Sequence, residues 1–557
     1  MTPTVSPCDG ARSSGSDDKG KGKGDEVKTA FFAVFPASDR VRTRRLIRTA
    51  IVGSVILLAL QTMAAARLEL TFDEAYYALW SRSLSFGYLD HPPMVALWIR
   101  VSTALFGNSS LGVRALSLVA VGSLPALVAW IAWRLFRSAE IAALAAILWI
   151  AMPLVIAGAV FVTPDAPLTV FWTLGLAALV ELWRTQKPVW LLALGLTFGL
   201  GLQSKFTIFF FAAGAGLGFL TIPSLRRWLL SLWTFAALAL AAAIFAPFIA
   251  WNAAHGWATF RKQFGRAPPH GFKPYFLGEF VVAQIGLMNP FVFPAFAGAL
   301  SRVPWRGRVE PQSAEEARRI LVCTIAPAVL YFFVHALHDR VEGNWLAPLF
   351  PVVAILAADW TSGVWSERAT GWKALVANAA PWSALPAFVV MTLAYVQATT
   401  GFLPLGDSDP TARLSGYRQL AADLAADAHA VHAPYVLTQG YALTSLMRAY
   451  AGHDIAIVQP EERIRWIFEP RPPARLFEQP GLALGEAGRH FDLYLQVRYR
   501  SVEPVGALTR RRDGRPVETY ELFRVADPFA PVLDEECVSG NVTYTRTYGG
   551  VARICAD

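Results

Sequence analysis

The sequence predicts a polytopic α-helical membrane protein that ends in an extracytoplasmic α/β domain. The chain has 557 residues, of which 54% are hydrophobic and 16% are charged. Globular proteins average about 45–50% apolar and about 25% charged residues, so a soluble chain of this composition would expose too much apolar surface. The apolar residues also concentrate in about eleven stretches before residue 399, each of a length that suits a membrane span. A disordered, collagen-like or coiled-coil chain is excluded.

The N-terminal segment, residues 1–45, is predicted to be a disordered cytoplasmic tail. It is polar, rich in Gly, Ser and Lys, and runs into a basic segment at 40–48, which should stay in the cytoplasm. It lacks the apolar core and cleavage site of a secretory signal.

Residues 46–398 carry the predicted spans. A helix needs about 20 apolar residues to cross the ~30 Å hydrocarbon layer. The apolar stretches lie at 49–66, 111–133, 141–162, 168–183, 189–202, 206–222, 228–250, 276–300, 320–337, 346–360 and 374–398. The two stretches around Lys205 are short, which suits a re-entrant or tilted pair.

Charge sets the predicted orientation. With the N-terminus inside, the basic loops fall on the cytoplasmic side, as the positive-inside rule requires. These loops hold Arg134 and Arg137, Arg184 and Lys187, Arg226 and Arg227, residues 302–319, and Arg368 and Lys373. The loop 67–110, which follows the first span, then lies outside, and an odd number of spans places residues 399–557 outside as well. The Ala- and Arg-rich composition suggests a bacterial inner membrane. The net charge of +9 is explained by these loops, and no nucleic-acid partner is predicted.

Residues 399–557 are predicted to form a periplasmic α/β domain. Helices are expected at 411–430 and 442–451, and strands at 435–438, 455–458, 491–497 and 519–525. Four cysteines do not form a disulfide framework in so long a chain. Cys537 and Cys555 could pair in an oxidising compartment, and the sequence leaves this open.

The first outer loop carries the most informative pattern. Thr71-Phe-Asp73-Glu74 is a capping box, in which Glu74 reaches back to the start of a helix. Asp73, Tyr77 and Trp80 would share one face of that helix. For Glu74, capping and chemistry are equally open. For Asp73 we favour chemistry, because it would lie where a lipid-carried substrate meets water.

This loop resembles that of the GT-C class of membrane glycosyltransferases, in particular glycosyltransferase family 39, which is related to the bacterial aminoarabinose (lipid A) transferases and the protein O-mannosyltransferases. The residues that carry the resemblance read DEAYYALW at 73–80, GYLDHPPM at 87–94 and Arg100, followed by Thr163-Pro-Asp165-Ala-Pro, Ser204-Lys205-Phe206 and Glu342-Gly-Asn344-Trp345. The resemblance covers roughly residues 45–400 and implies a GT-C fold. Aminoarabinose transferases usually read Glu-Lys-Pro-Pro where this chain reads Asp90-His91-Pro92-Pro93.

The resemblance implies an inverting transfer of a sugar from a polyprenyl-phosphate donor to an acceptor on the outer face of the inner membrane. The acceptor would be lipid A, lipopolysaccharide or another envelope glycan. Such a reaction needs a carboxylate as general base and fixed positive charge for the departing phosphate. The predicted catalytic residues are Asp73, Glu74 and Asp165. The predicted donor- or phosphate-binding residues are Tyr76, Tyr77, Arg82, His91, Arg100, Arg114 and Lys205. Glu342, Asn344 and Trp345 are assigned to the acceptor or to other contacts.

Several assignments have plain structural alternatives. Asp165 could be a simple helix N-cap. Lys205 lies between apolar runs, where an ammonium is costly unless paired or hydrated, although it could also snorkel to the interface. No cofactor is firmly predicted. A divalent metal is left open, with Asp90 and His255 as ligands of suitable type. These residues lack tight metal-ligand spacing.

Two other functions remain open from the sequence. A protein O-glycosyltransferase would keep the chemistry and change the acceptor to a Ser or Thr hydroxyl. A lipid or sugar transporter, such as a flippase, would show internal repeats and charged or broken helices at the bilayer midplane. We find no internal repeat, and the acidic residues cluster in outer loops instead.

Overall fold

The computed structural model describes residues 37–264, 271–304, 310–533, 541–547 and 550–556. Within these ranges, seven helical segments are long and apolar enough to cross a membrane, and a bent pair would make eight. The seven segments are Arg40–Arg67, Ser110–Phe136, Asp165–Thr185, Leu232–Ala254, Ala314–His335, Gly343–Ser366 and Gly371–Thr400. The bent pair, Tyr275–Met288 and Val292–Leu300, turns by 110°. The chain is therefore a multi-pass helical membrane protein.

The predicted count of about eleven spans is not confirmed. Three predicted spans form shorter apolar helices, Ala139–Ile150, Val189–Leu202 and Ile208–Thr221. A 14-residue helix such as Val189–Leu202 is only about 21 Å long, which is short of the ~30 Å hydrocarbon layer. Pro153 begins a new short helix and interrupts the predicted span 141–162. The pair around Lys205 is short, as the sequence predicts.

The helices of the first part of the chain, numbered in order, are α1 (Ala37–Arg67), α2 (Phe72–Arg82), α3 (Met94–Phe106), α4 (Ser110–Gly122), α5 (Leu124–Phe136), α6 (Ala139–Ile150), α7 (Pro153–Gly158), α8 (Asp165–Thr185), α9 (Val189–Leu202), α10 (Ile208–Thr221), α11 (Pro223–Arg226), α12 (Leu232–Ala254), α13 (Ala258–Phe264), α14 (Tyr275–Met288), α15 (Val292–Leu300), α16 (Ala314–His335), α17 (Phe350–Ser366), α18 (Gly371–Ala379) and α19 (Ala384–Thr400). A 3₁₀ helix, Gly343–Leu349, precedes α17. One large apolar core joins most of these helices, whereas α2 and α3 share a second core with the C-terminal part.

Residues at or near the predicted cytoplasmic ends of the helices pair with one another. Arg134 forms an ion pair with Glu181, and Arg184 donates to the carbonyl of Arg134 at 2.6 Å. On neighbouring helices, Arg42 pairs with Glu140 at 2.7 Å. These contacts bring several predicted inner loops together on one side of the helix bundle.

The C-terminal part contains helices α20 (Tyr417–Ala430), α21 (Gly440–Tyr450) and α22 (Phe491–Gln496), and strands β1 (Tyr435–Thr438), β2 (Ala456–Val458), β3 (Gly481–Glu486), β4 (Tyr499–Arg512), β5 (Arg515–Pro528), β6 (Asn541–Thr547) and β7 (Gly550–Ala556). The main sheet has the order β2-β1-β3-β5-β4. Strand β1 runs parallel to β2 and β3, and β5 is antiparallel to β3 and β4. Strands β6 and β7 form a separate antiparallel pair.

The sheet differs from the prediction at three places. The predicted strand 491–497 is wrong: Phe491–Gln496 is helical, and Phe491, Tyr494 and Leu495 are buried at helical spacing. Strand β3 was not predicted, because its two glycines weaken a strand pattern. Strand β4 was missed because it is an exposed edge strand with a register shift between Pro504 and Gly506. The other predicted strands and helices are confirmed, with shifted ends. The pairing of Cys537 with Cys555 lies outside the described residues.

The C-terminal domain docks onto the first outer loop. The Glu69 carboxylate accepts a hydrogen bond from the Tyr417 backbone N–H at 2.7 Å. The Tyr450 hydroxyl accepts one from the Leu70 N–H, also at 2.7 Å. Helix α21 packs against α2. The two regions that the sequence predicts to be external therefore lie on the same side of the molecule.

Candidate functional site

The N-terminus of helix α2 is held by an ion pair whose hydrogen-bonding groups are all occupied. Thr71 and Glu74 form the predicted capping box. The Glu74 carboxylate also accepts from Arg114 Nε at 2.7 Å and from Arg114 Nη2 at 2.6 Å, and both side chains are 0% exposed. The Arg114 guanidinium donates further to the carbonyls of Ala65, Leu68 and Glu69.

This pair bears on the roles predicted for Glu74 and Arg114. All five N–H groups of Arg114 are used by the contacts above, so none remains for a phosphate. The Glu74 oxygens accept from Arg114, from Thr71 and from the Val162 N–H. We therefore assign Glu74 to positioning α2 rather than to catalysis, and Arg114 to the same task rather than to the donor phosphate.

Asp73, one residue earlier, lies in a different environment. Its carboxylate accepts a 3.3 Å hydrogen bond from the Tyr441 hydroxyl of α21, and its side chain is half-buried. Burial raises the pKa of Asp73 to about 6, and the negative charges of Asp90 and Glu74 add to this rise. The Tyr441 hydrogen bond and the positive charge of Arg465 act in the opposite direction.

An ion pair beside Asp73 joins the two parts of the molecule. Arg465, in the C-terminal domain, pairs with Asp90 of the first outer loop at 2.7 Å. The Tyr76 hydroxyl donates to the Arg465 carbonyl at 2.9 Å and lies 3.2 Å from Asp90 Oδ2. The Arg465 guanidinium also lies 4.1 Å from the centre of the Tyr441 ring. We call Asp73, Asp90, Tyr76, Tyr441 and Arg465 the Asp73 cluster.

A second group, the Asp165 cluster, contains Asp165, Lys205 and Asn344. Lys205 Nζ lies 2.7 Å from Asp165 Oδ1, and Asn344 Nδ2 donates to Asp165 Oδ2 at 2.8 Å. Unlike the Glu74–Arg114 pair, this one is partly open, since the Lys205 and Asp165 side chains are 16% and 11% exposed. The structure thus brings together one residue from each of the three later motifs.

The first outer loop contacts both sides of the Asp165 cluster. The Glu74 carboxylate accepts from the Val162 N–H at 3.0 Å, just before the Thr163-Pro164-Asp165 segment. The Met94 N–H donates to the Gln203 carbonyl at 2.9 Å, two residues before Lys205. The first loop therefore positions both clusters.

The other predicted donor-binding residues lie in varied surroundings. Tyr77 is buried, and the centre of its ring lies 6.3 Å from the half-buried imidazole of His91. Arg82 lines a separate cavity of about 390 Å³ together with Arg448 and Glu469. Arg100 is exposed on α3.

Glu342 and Trp345, two predicted acceptor residues, lie next to Asn344. Glu342 is exposed, and its carbonyl accepts from the Trp345 N–H at 3.0 Å. Trp345 packs against Phe332, with ring centres 5.7 Å apart. Neither residue contacts the Asp73 cluster within the hydrogen bonds and ring contacts described above.

The predicted metal ligands do not form a metal site. Asp90 pairs with Arg465, and His255 Nδ1 lies 2.7 Å from the Trp251 carbonyl of its own helix. Among the residues that the structure describes, no group of three or more His, Cys, Asp or Glu side chains could hold a metal ion. The side chains present at these positions do not fit the metal that the sequence left open.

Tyr441 and Arg465 were missed by the sequence interpretation. Both lie in the C-terminal domain, and no local motif links them to Asp73. The one available signal was the arginine- and aromatic-rich segment around Trp466. It contributes Arg465, and the Trp466 ring meets that of Tyr76 edge to face at a centre distance of 5.5 Å.

Comparisons with known proteins agree with the resemblance noted in the sequence. A family model described as dolichyl-phosphate-mannose-protein mannosyltransferase matches residues 90–251. The lipid A galacturonosyltransferase RgtD of Rhizobium johnstonii is 29% identical over 287 residues. This match covers 51% of the chain and 59% of the relative, so the chain spans well under two thirds of that protein.

The fold is similar to that of a solved bacterial structure. ArnT from Cupriavidus metallidurans, bound to undecaprenyl phosphate, superposes with a TM-score of 0.57 at 16% identity, over 87% of this chain and 99% of the other. The apo form of the same protein gives the same TM-score and identity over 85% and 97%. The resemblance to GT-C glycosyltransferases is confirmed, and the ArnT-like fold extends over most of the chain.

Proposed function

We propose that the chain is an inverting glycosyltransferase that takes a sugar from a polyprenyl-phosphate donor. Its acceptor would be lipid A, lipopolysaccharide or another envelope glycan, and it would work on the outer face of the bacterial inner membrane. The observation that carries the proposal is the half-buried Asp73, whose raised pKa suits a general base. The relatives add support, since RgtD is described as a lipid A galacturonosyltransferase and one ArnT structure holds undecaprenyl phosphate.

In the proposed reaction, the acceptor hydroxyl attacks the anomeric carbon of the sugar and gives its proton to Asp73. The bond from that carbon to the phosphate oxygen breaks, and the polyprenyl phosphate leaves with the electron pair. A single displacement of this kind inverts the anomeric configuration. Ionised Asp73 is the reactive form, and a pKa near 6 leaves it mostly ionised at neutral pH.

Fixed positive charge is needed for the departing phosphate. Lys205 is the best-placed predicted cation, because it is partly exposed and held by Asp165. Asp165 and Asn344 act in this proposal by orienting the ammonium group. Arg465 is a positioning residue that neutralises Asp90 and packs against Tyr441.

The proposed topology follows from the docking of the two outer regions. The C-terminal domain and the first outer loop share hydrogen bonds and the Asp73 cluster. Both must therefore face the same compartment, which we propose is the periplasm, with the N-terminus in the cytoplasm. Labelling of a Phe86→Cys variant with a membrane-impermeant thiol reagent tests this. We expect labelling in intact cells, and labelling only after lysis would contradict the topology.

A donor-exchange assay tests the activity. The purified full-length chain is given lipid A and either a panel of undecaprenyl-phosphate sugars or the matching nucleotide sugars. We expect transfer only from a lipid-linked donor. Equal transfer from a nucleotide sugar would overturn the proposal.

The acceptor has a second candidate. The family model that matches residues 90–251 carries the description of a protein mannosyltransferase. This description favours a Ser or Thr hydroxyl as the alternative nucleophile. Mass spectrometry of lipopolysaccharide and secreted proteins from a deletion strain distinguishes the two. Loss of a sugar from secreted proteins with unchanged lipopolysaccharide would favour the protein acceptor.

A further inference from the structure

A large cavity lies beside the Asp73 cluster and is not used by the contacts described so far. Its volume is about 680 Å³. Phe72 and Ala442 line it, and they directly adjoin Asp73 and Tyr441 in the chain. The Phe72 ring lies 5.9 Å from the ring of Tyr441, and Tyr441 donates a hydrogen bond to Asp73, so this wall of the cavity packs against a member of the Asp73 cluster.

The cavity wall is basic. Five arginines line it against three carboxylates; these are Arg413, Arg489, Arg510, Arg512 and Arg515, and Asp409, Glu486 and Glu518. The carboxylates are already paired: Asp409 with Arg512, Glu486 with Arg489, and Glu518 with Arg510. The excess of two positive charges is therefore carried by Arg413 and Arg515.

These two arginines are exposed. Arg515 donates to the Gly401 carbonyl at 3.1 Å. Among the described residues, neither guanidinium pairs with a carboxylate. Both can therefore present N–H donors to an anionic group that enters the cavity.

One edge of the cavity is apolar and is formed by the residues that directly follow the last candidate membrane span. The last candidate span ends at Thr400, and the next residues include Phe402, Leu403 and Leu405, which are 45–46% exposed. Leu403 and Leu405 line the cavity. Exposed apolar side chains at the end of a span are placed to contact lipid.

We propose that this cavity binds the headgroup of an anionic lipid acceptor. Its phosphate or carboxylate would lie on Arg413 and Arg515, its acyl chains against the 402–405 segment, and its sugar towards Asp73. This inference rests on the proposed function and adds the place where the headgroup of the acceptor binds and the two arginines that hold it. The ArnT-like fold does not by itself assign these arginines.

A binding assay without turnover tests the cavity. Fluorescent lipid A is titrated into the full-length chain in mixed micelles. Removing two charge-assisted contacts in Arg413→Ala/Arg515→Ala should weaken binding about tenfold. Arg413→Lys/Arg515→Lys should retain most of the affinity, because the charges remain. The matched control, Arg475→Ala/Arg524→Ala, removes two exposed arginines elsewhere in the same domain and should bind like the unmodified chain.

Competition experiments distinguish the classes of ligand, and the Asp73→Asn variant distinguishes failure of the cavity assignment from failure of the proposed function. Phosphatase-treated lipid A should compete weakly, and inorganic phosphate should not compete at matched concentration. Unchanged binding by the double alanine variant, or full competition by inorganic phosphate, would overturn the lipid-headgroup site. Asp73→Asn should bind lipid A normally. If that variant also transferred sugar at the normal rate, the proposed function would fail while the cavity assignment remained.

Discussion

Asp73 and Glu74 are adjacent carboxylates on the same helix, but their environments are opposite. Glu74 is completely buried and receives hydrogen bonds from Arg114, Thr71 and Val162. Asp73 is half-buried and receives one long hydrogen bond from Tyr441. The comparison teaches that a saturated carboxylate holds the structure together, whereas an under-satisfied one with a raised pKa remains available for chemistry.

The Asp165–Lys205 pair is intermediate between these two. It has the short distance of an ion pair, 2.7 Å, yet both side chains remain partly exposed. Such a pair can keep its geometry while the ammonium group of Lys205 still donates a hydrogen bond to a ligand. In the proposed mechanism, the three carboxylates thus range from structural to reactive according to how fully their oxygens are occupied.

The largest expected effect is on stability. Arg114→Met leaves the Glu74 charge buried without its partner, which typically costs about 3–5 kcal/mol. We expect a markedly lower melting temperature for the purified chain in detergent. Arg100→Met is the matched control, because Arg100 is exposed. Equal melting temperatures for the two variants would contradict a structural role for the Glu74–Arg114 pair.

Lys205→Met should affect transfer more than folding. Loss of a cation that stabilises developing phosphate charge typically lowers turnover about 10²-fold. Lys187→Met, an exposed lysine on a predicted inner loop, should transfer normally. If Lys205→Met lowered the melting temperature as much as Arg114→Met and left turnover of the folded fraction unchanged, the pair would be structural.

A smaller effect is expected in the pH profile. Because Asp73 must be ionised to accept a proton and its pKa is raised to about 6, kcat/KM should fall as the pH drops below about 6. The Tyr441 hydrogen bond lowers this pKa, so Tyr441→Phe should raise it and move the acid limb to higher pH. Tyr450→Phe removes a hydroxyl that contacts Leu70 instead, and its acid limb should stay in place.

The amino-acid sequence predicts the local features of this molecule well. The capping box at Thr71 and Glu74 follows from four adjacent residues. The short apolar helices around Lys205 follow from their length. Strand β1 follows from its buried apolar run.

Long-range contacts could not be predicted in the same way. The partners of Glu74 and Asp90 lie 40 and 375 positions away in the chain. Their pairing depends on the docking of separately folded elements, for which one sequence gives no pattern. This is why Arg114 was assigned to phosphate, and why Tyr441 and Arg465 were not found.

The most direct test measures Asp73→Asn and Glu74→Gln side by side, each for turnover and for melting temperature. General-base catalysis typically contributes about 10²–10⁴-fold, so Asp73→Asn should lose turnover by that factor and keep the melting temperature of the unmodified chain. Glu74→Gln should instead lower the melting temperature. Near-normal turnover by folded Asp73→Asn, together with a large loss in folded Glu74→Gln, would reverse the two roles and contradict the account.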